Sequence, residues 1–158
     1  MFSFLNKILK RVVYLDYAAA TPVSAAVLNE MSKHQGLFYN PSALYRDGVK
    51  AKGLIENCRE IISKEINCQP KHIYFTSSAT ESINLAIRGS VELYYNLKSK
   101  DKALDIPNII TTPIEHPATL ETLKDLEKKS LIKIKYLPVD MMGMVSPRDL
   151  SEQLDANT

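Results

Sequence analysis

The residues best suited to chemistry in this sequence fall in one short run, Thr76-Ser77-Ser78-Ala79-Thr80-Glu81-Ser82. Small and hydroxyl-bearing side chains mark the place where a β-branched and aromatic stretch, Ile73-Tyr74-Phe75-Thr76, gives way to a helical pattern. Ser78 and Glu81 have the Ser-x-x-Glu spacing of a capping box, which makes Ser78 the expected N-cap. A helix that begins directly after a strand turns free backbone N–H groups and the positive end of its dipole toward one point. A phosphate suits such a point, and the short side chains of Ala79 and Thr80 let it approach the backbone. The same pattern also describes a well-capped helix with no ligand. His116 is the second candidate. It follows the strand expected over 108–112 and precedes Pro117, a favoured first helical residue. It is therefore expected at the C-terminal edge of a sheet, where open α/β folds bind ligands. If 73–76 and 108–112 are neighbouring or next-but-one parallel strands, their ends lie roughly 5–10 Å apart. An imidazole there would sit beside the ring of a cofactor whose phosphate rests on residues 78–80. Taken alone, a histidine at a helix start also describes a surface cap.

The elements that must position these residues alternate along the chain. Thr21-Pro22 predicts a helix N-cap and first residue, opening a segment that runs to about Lys33. Asn40-Pro41-Ser42 is a turn signal, and a long helical pattern follows it. In that pattern Leu54, Ile55, Cys58, Ile61, Ile62 and Ile66 form one apolar stripe, which predicts a core position for Cys58. Gln69-Pro70-Lys71 ends the helix ahead of the expected strand 73–76. A helix over 80–97, a polar loop to Pro107, a strand over 108–112 and a helix over 117–129 follow, the last with Leu120, Leu123 and Leu126 toward the core. Ile132, Ile134 and Tyr136 alternate with Lys133 and Lys135 as in a half-exposed strand. Asp140 and Gly143 mark a turn, and Ser146-Pro147 opens a last helix. This order predicts an α/β fold, a partial three-layer sandwich with three strands of a parallel sheet. A parallel sheet that narrow normally has covered faces and edges, so the chain reads as the first part of something larger.

Composition narrows the function classes. The chain has 158 residues with 20 Lys+Arg against 18 Asp+Glu, a formal net charge of +2 that argues against a strongly basic nucleic-acid binder. Apolar residues at 45% and charged residues at 24% suit a folded domain. Two cysteines, Cys58 and Cys68, make neither a disulfide framework nor a zinc set, and this usage suggests a cytoplasmic protein. No stretch approaches the roughly 20 consecutive apolar residues that a membrane-spanning helix needs. At the N-terminus Phe2, Leu5, Ile8, Leu9 and Val12 recur at helical spacing among basic residues. That segment reads as a frayed or partner-packed extension, with a surface-lying amphipathic helix as the alternative.

An ordered set of segments carries a resemblance. Tyr14-Leu15-Asp16-Tyr17-Ala18-Ala19-Ala20-Thr21-Pro22, Asn40-Pro41-Ser42, Phe75-Thr76-Ser77-Ser78-Ala79-Thr80-Glu81-Ser82, Asn84-Leu85-Ala86-Ile87 and Glu115-His116 occur in the order seen in cysteine desulfurases. These are class-V aminotransferase-like enzymes of fold type I, dependent on pyridoxal 5'-phosphate. The resemblance runs from about Tyr14 to Thr158. It implies that Ala79 and Thr80 hold the cofactor's phosphate and that His116 stacks on its ring and assists proton transfer. It also implies an N-terminal extension over 1–13, an arm and helix over 14–35, and an incomplete cofactor-binding large domain over 36–158. L-cysteine would be the substrate, alanine the product, and a sulfur-acceptor protein and a homodimer the partners, in the service of iron–sulfur or thio-cofactor synthesis.

The sequence also departs from the family. Ser78 replaces the usual Gly of the phosphate turn, and Tyr45 stands where a His often follows the Asn-Pro-Ser turn. Tyr17 and Ala20 are variants within the opening motif. Neither cysteine matches the sulfur-accepting one and no lysine matches the Schiff-base motif, so the chain is expected to be inactive alone. A class-V aminotransferase or selenocysteine lyase shares much of this pattern. A short non-catalytic binding protein that keeps only the start of the fold is the competing reading from another class.

Overall fold

A computed structural model describes residues 13–98 and 105–158, which form two compact units, Met1–Ile73 and Tyr74–Thr158. The N-terminal amphipathic pattern over 1–12 and most of the polar loop before Pro107 lie outside the described residues.

In the first unit, helix α1 spans Ala25–Lys33. Ser24 caps it, its Oγ accepting from the Val27 N–H at 3.3 Å. The helix thus starts later than Thr21-Pro22 predicts, because Ser24 is an equally good cap closer to the amphipathic run. Asn40 Oδ1 accepts from the Ser42 N–H at 2.9 Å and closes the predicted turn. Helix α2 spans Arg46–Glu65 and sits directly on that turn. A Cβ at Gly48 would lie 2.8 Å from the carbonyl oxygens of both Asn40 and Ala43, so only glycine permits this approach. α2 ends in a Schellman-type cap: Asn67 has φ 52° and the Cys68 N–H donates to the Ser63 carbonyl at 2.9 Å. A single 3₁₀ turn, Pro70–His72, follows, and the Arg59 guanidinium donates to the Ile73 carbonyl.

Two expectations fail in and just after this unit. Cys58 is exposed rather than in a core, and Ile61, Ile62 and Ile66 of the same stripe are exposed with it. Helical periodicity identifies an apolar face but not whether anything covers it. The segment 73–76 forms no strand, and Tyr74 and Phe75 are exposed. β-propensity records the fit of a side chain to a pleated surface, and a strand forms only when a neighbour supplies its ladder hydrogen bonds.

The second unit holds the core. Helix α3 spans Ala79–Lys98, strand β1 Asn108–Thr111, helix α4 Pro117–Lys128, strand β2 Lys133–Tyr136 and helix α5 Pro147–Gln153. β1 and β2 are parallel, with Asn108 opposite Lys133 and Thr111 opposite Tyr136, and α4 is the crossover between them. Among the described residues two strands therefore stand where the sequence predicts three. Val91 of α3, Leu123 and Leu126 of α4 and Ile132 form the buried cluster, with Ile87, Tyr95, Ile109, Leu131 and Ile134 packed around it. α4 ends as α2 does: Ser130 has φ 57° and the Leu131 N–H donates to the Leu126 carbonyl at 3.0 Å. Beyond α5 the chain closes over the start of β1, where the Asn108 N–H donates to the Asn157 carbonyl at 2.8 Å. Among the described residues no helix is long and apolar enough to cross a membrane.

Candidate functional site

The first turn of α3 has the predicted cap in a shifted form. Ser78 Oγ accepts from the Glu81 N–H at 3.2 Å, and the Ser78 carbonyl accepts from the Ser82 N–H at 3.1 Å. In a capping box the reciprocal bond would have the Ser78 N–H donate to the Glu81 carboxylate. Here the Glu81 carboxylate accepts instead from the hydroxyl and N–H of Ser77, at 2.6 and 2.7 Å. Those two bonds, the hydroxyl's foremost, hold the Glu81 carboxyl below the usual carboxylate range. Thr76 braces the turn from the other side, donating to the Ser78 carbonyl at 3.1 Å and sharing a 2.5 Å hydrogen bond with the Ser82 hydroxyl.

Several donors are left over. The N–H groups of Ala79 and Thr80 have no acceptor among the described residues, and neither has the Thr80 hydroxyl a partner there. With the side chains of Ser77 and Ser78 tied back, the dipole end of a 20-residue helix is open to a small anion.

His116 is the N-cap of α4. Its Nδ1 accepts from the Ala118 N–H at 3.0 Å, and Pro117 occupies the first helical position. That bond leaves Nδ1 without a proton, so the neutral ring carries its proton on Nε2. Nε2 has no hydrogen-bond partner among the described residues. The bond from the Thr112 hydroxyl to the Glu115 carboxylate, 3.1 Å, closes the loop that carries His116 away from β1.

A polar chain, buried at Thr122 and open to solvent at its ends, joins the two helix starts. Asn84 Nδ2 donates to the Thr80 carbonyl at 3.0 Å, and Asn84 Oδ1 accepts from the Thr122 hydroxyl at 2.9 Å. The Thr122 hydroxyl also lies 2.7 Å from the carbonyl of Ala118, the residue whose N–H His116 caps. One turn deeper, Arg88 donates to Asn84 Oδ1 at 3.1 Å and to the Asp125 carboxylate at 2.8 Å. Lys129, first, and Arg88 together hold the Asp125 carboxyl below its usual range. Residues 73–76 form no strand, and these bonds between α3 and α4 link the two helix starts.

The sequence pattern described as aminotransferase class-V matches residues 13–158. The chain belongs to the aminotransferase class-V family. Similar curated members of this family include the cysteine desulfurase IscS of Dictyoglomus turgidum, 42% identical over 151 residues, and that of Pseudoalteromonas translucida, 36% identical over 154 residues. Each comparison covers 95% of this chain and 36% of the relative, so the chain spans about a third of the length of these desulfurases. A solved structure titled NifS-like protein superposes with a TM-score of 0.79 at 38% identity, over 93% of this chain and 38% of that one. Another, titled SspA in complex with cysteine, gives 0.79 at 35% identity, over 92% and 40%. The fold is therefore part of the fold type I architecture of class-V aminotransferases and cysteine desulfurases.

Within this family frame, Tyr45 caps α2 without a side-chain hydrogen bond and meets Tyr39 edge-on at 6.3 Å. Cys58 and Cys68 are free thiols of the first unit. Asn84 entered the sequence reading only through the family motif, and Thr122 not at all. The signal for Asn84 was present, since it lies four residues beyond Thr80 on the same helix face. For Thr122 there was none, because pairing across two helices leaves no trace in local spacing.

Proposed function

We propose that this chain is the phosphate-gripping part of a pyridoxal 5'-phosphate-dependent cysteine desulfurase. The observation that carries the reading is the start of α3, where the N–H groups of Ala79 and Thr80 and the Thr80 hydroxyl lack partners among the described residues. That donor set fits a phosphate, and the exposed His116 with its free Nε2 fits the role of a ring neighbour. Ser78, in place of glycine, does not spoil the fit, because its side chain is engaged in capping Glu81. Pyridoxal 5'-phosphate supplies an electron sink for bond breaking at an amino acid. Ala79 and Thr80 would hold its phosphate, and His116 would lie against its ring and carry a proton at Nε2. The substrate is then L-cysteine, its sulfur leaving to a thiolate and alanine remaining. No thiol of this chain fits that acceptor, so the activity belongs to a longer assembly: a homodimer in the cytoplasm that hands sulfur to an acceptor protein. In this reading residues 1–13 are an extension, 14–35 an arm and 36–158 an incomplete cofactor-binding domain.

Equilibrium dialysis of the chain against pyridoxine 5'-phosphate and against pyridoxine tests the proposal, since neither has an aldehyde to react with surface lysines. Binding should require the phosphate and be displaced by inorganic phosphate. Equal binding of the two compounds, or none of the phosphate ester, overturns it.

A further inference from the structure

The polar chain between the two helix starts has a geometry that packing alone does not require. Thr122 is 4% exposed, and its hydroxyl lies within hydrogen-bond distance of both Asn84 Oδ1 and the Ala118 carbonyl. Asn84 in turn donates to the Thr80 carbonyl. The route from the phosphate turn to the imidazole therefore runs Thr80, Asn84, Thr122, Ala118, His116, with separations of 3.0, 2.9, 2.7 and 3.0 Å, the single Thr122 hydroxyl proton being shared between Asn84 Oδ1 and the Ala118 carbonyl. Apolar contacts would hold α3 and α4 together equally well, but they tolerate sliding, whereas directional bonds to a carbonyl in each first turn fix the register of one helix start against the other. Arg88 supports the same point from below, bonded both to Asn84 Oδ1 and to the Asp125 carboxylate.

We infer that Asn84 and Thr122 are positioning residues: they set the spacing between the phosphate turn and His116 so that one ligand reaches both. The inference rests on the proposed cofactor reading and deepens it. It separates two properties. Holding a phosphate needs only the first turn of α3, while bringing a ring against His116 needs the register that Thr122 and Asn84 impose.

The test uses the 158-residue chain with two probes, inorganic phosphate and pyridoxine 5'-phosphate. Affinity is read by equilibrium dialysis. Ring contact is read as protection of His116 from diethylpyrocarbonate, by peptide mass spectrometry, with His34 and His72 as internal controls. In the unaltered chain pyridoxine 5'-phosphate should protect His116 and inorganic phosphate should not. Thr122→Val keeps the shape and removes the hydroxyl. It should leave inorganic phosphate affinity within about twofold, weaken pyridoxine 5'-phosphate about tenfold and abolish the protection. Thr122→Ser, which restores a hydroxyl, should restore protection. If Thr122→Val loses its helical circular dichroism, Asn84→Leu on the half-buried face of α3 carries the same expectation. A variant that binds the ester and protects His116 as the parent does overturns the positioning role and leaves the cofactor reading standing. An unaltered chain that binds neither probe overturns both.

Discussion

Thr80 is placed to contribute twice to an anion, through a backbone N–H and through a hydroxyl that no other described residue uses. Thr80→Ala removes the second donor and keeps the first. A hydrogen bond to a charged group is worth about 1.5–3 kcal/mol, so pyridoxal 5'-phosphate affinity should fall roughly tenfold to a hundredfold. The measurement is a titration at the cofactor's visible absorbance in a chimera completed with the remainder of the Dictyoglomus turgidum relative. His116→Ala in the same chimera should act on turnover more than on affinity, since it removes a stacking surface and a proton carrier. Steady-state alanine release reads that difference. Equal losses of turnover and affinity at His116 would reduce it to a cap of α4. At this scale the sequence was informative about residue type and turn chemistry: Ser78 as cap and His116 next to a first-position proline could both be read. It was silent on which side-chain atom each residue commits, as the Glu81 bond to Ser77 demonstrates.

Elements hold these residues in place through a small core and one polar closure. Leu123 of α4 is 1% exposed at the centre of the cluster shared with α3 and Ile132. Leu123→Ala should therefore cost about 2–5 kcal/mol, read as a lower urea midpoint of the helical signal. The closure is at the C-terminal end, where the Asp155 carboxylate accepts from Lys135 Nζ at 2.6 Å, Asn108 Nδ2 at 2.8 Å and the Asn157 N–H at 2.8 Å. These bonds, the Lys135 bond foremost, hold the carboxyl well below the usual carboxylate range. A carboxyl whose pKa is lower in the folded chain binds its proton more readily when unfolded, so its contribution is present above the ordinary Asp value of about 3.9 and is lost as pH falls below it. Urea midpoints should stay level from about pH 7 to 5 and drop below about pH 4. Asp155→Asn should flatten that drop, and an unchanged acid limb would assign the transition to other carboxylates.

The whole molecule presents much apolar surface to solvent. Leu44 is 96% exposed, Tyr74 and Leu97 each 74% and Ile66 62%, spread over both units. Exposed apolar patches of this kind promote association. Sedimentation should show an average mass that rises with concentration, together with binding of a hydrophobic dye. A concentration-independent monomer with a sharp, reversible thermal transition would contradict this. The isolated chain should also release neither sulfide nor alanine above background from cysteine, pyridoxal 5'-phosphate and a reductant. It spans about 36% of the curated desulfurases it resembles, and the proposed reading assigns the reactive lysine and cysteine to none of its residues. Turnover would show that reactive groups within these 158 residues had been overlooked.

Local chemistry settled what the sequence could settle alone. The helices over α2, α3, α4 and α5 are written in amphipathic spacing and in Ser, Pro and His start signals, β1 in a short β-branched run and β2 in apolar/Lys alternation, because each depends on residues a few positions apart. Contacts between distant residues decided the rest. The stretch 73–76 has strand propensity but no described ladder partner, so it stays irregular, and Cys58 lies on the exposed part of an apolar stripe whose Leu54 and Ile55 are half-buried. The register of Thr80 against His116 depends on a hydroxyl 38 residues from its partner Asn84, a relation that only the packing of α4 on α3 creates.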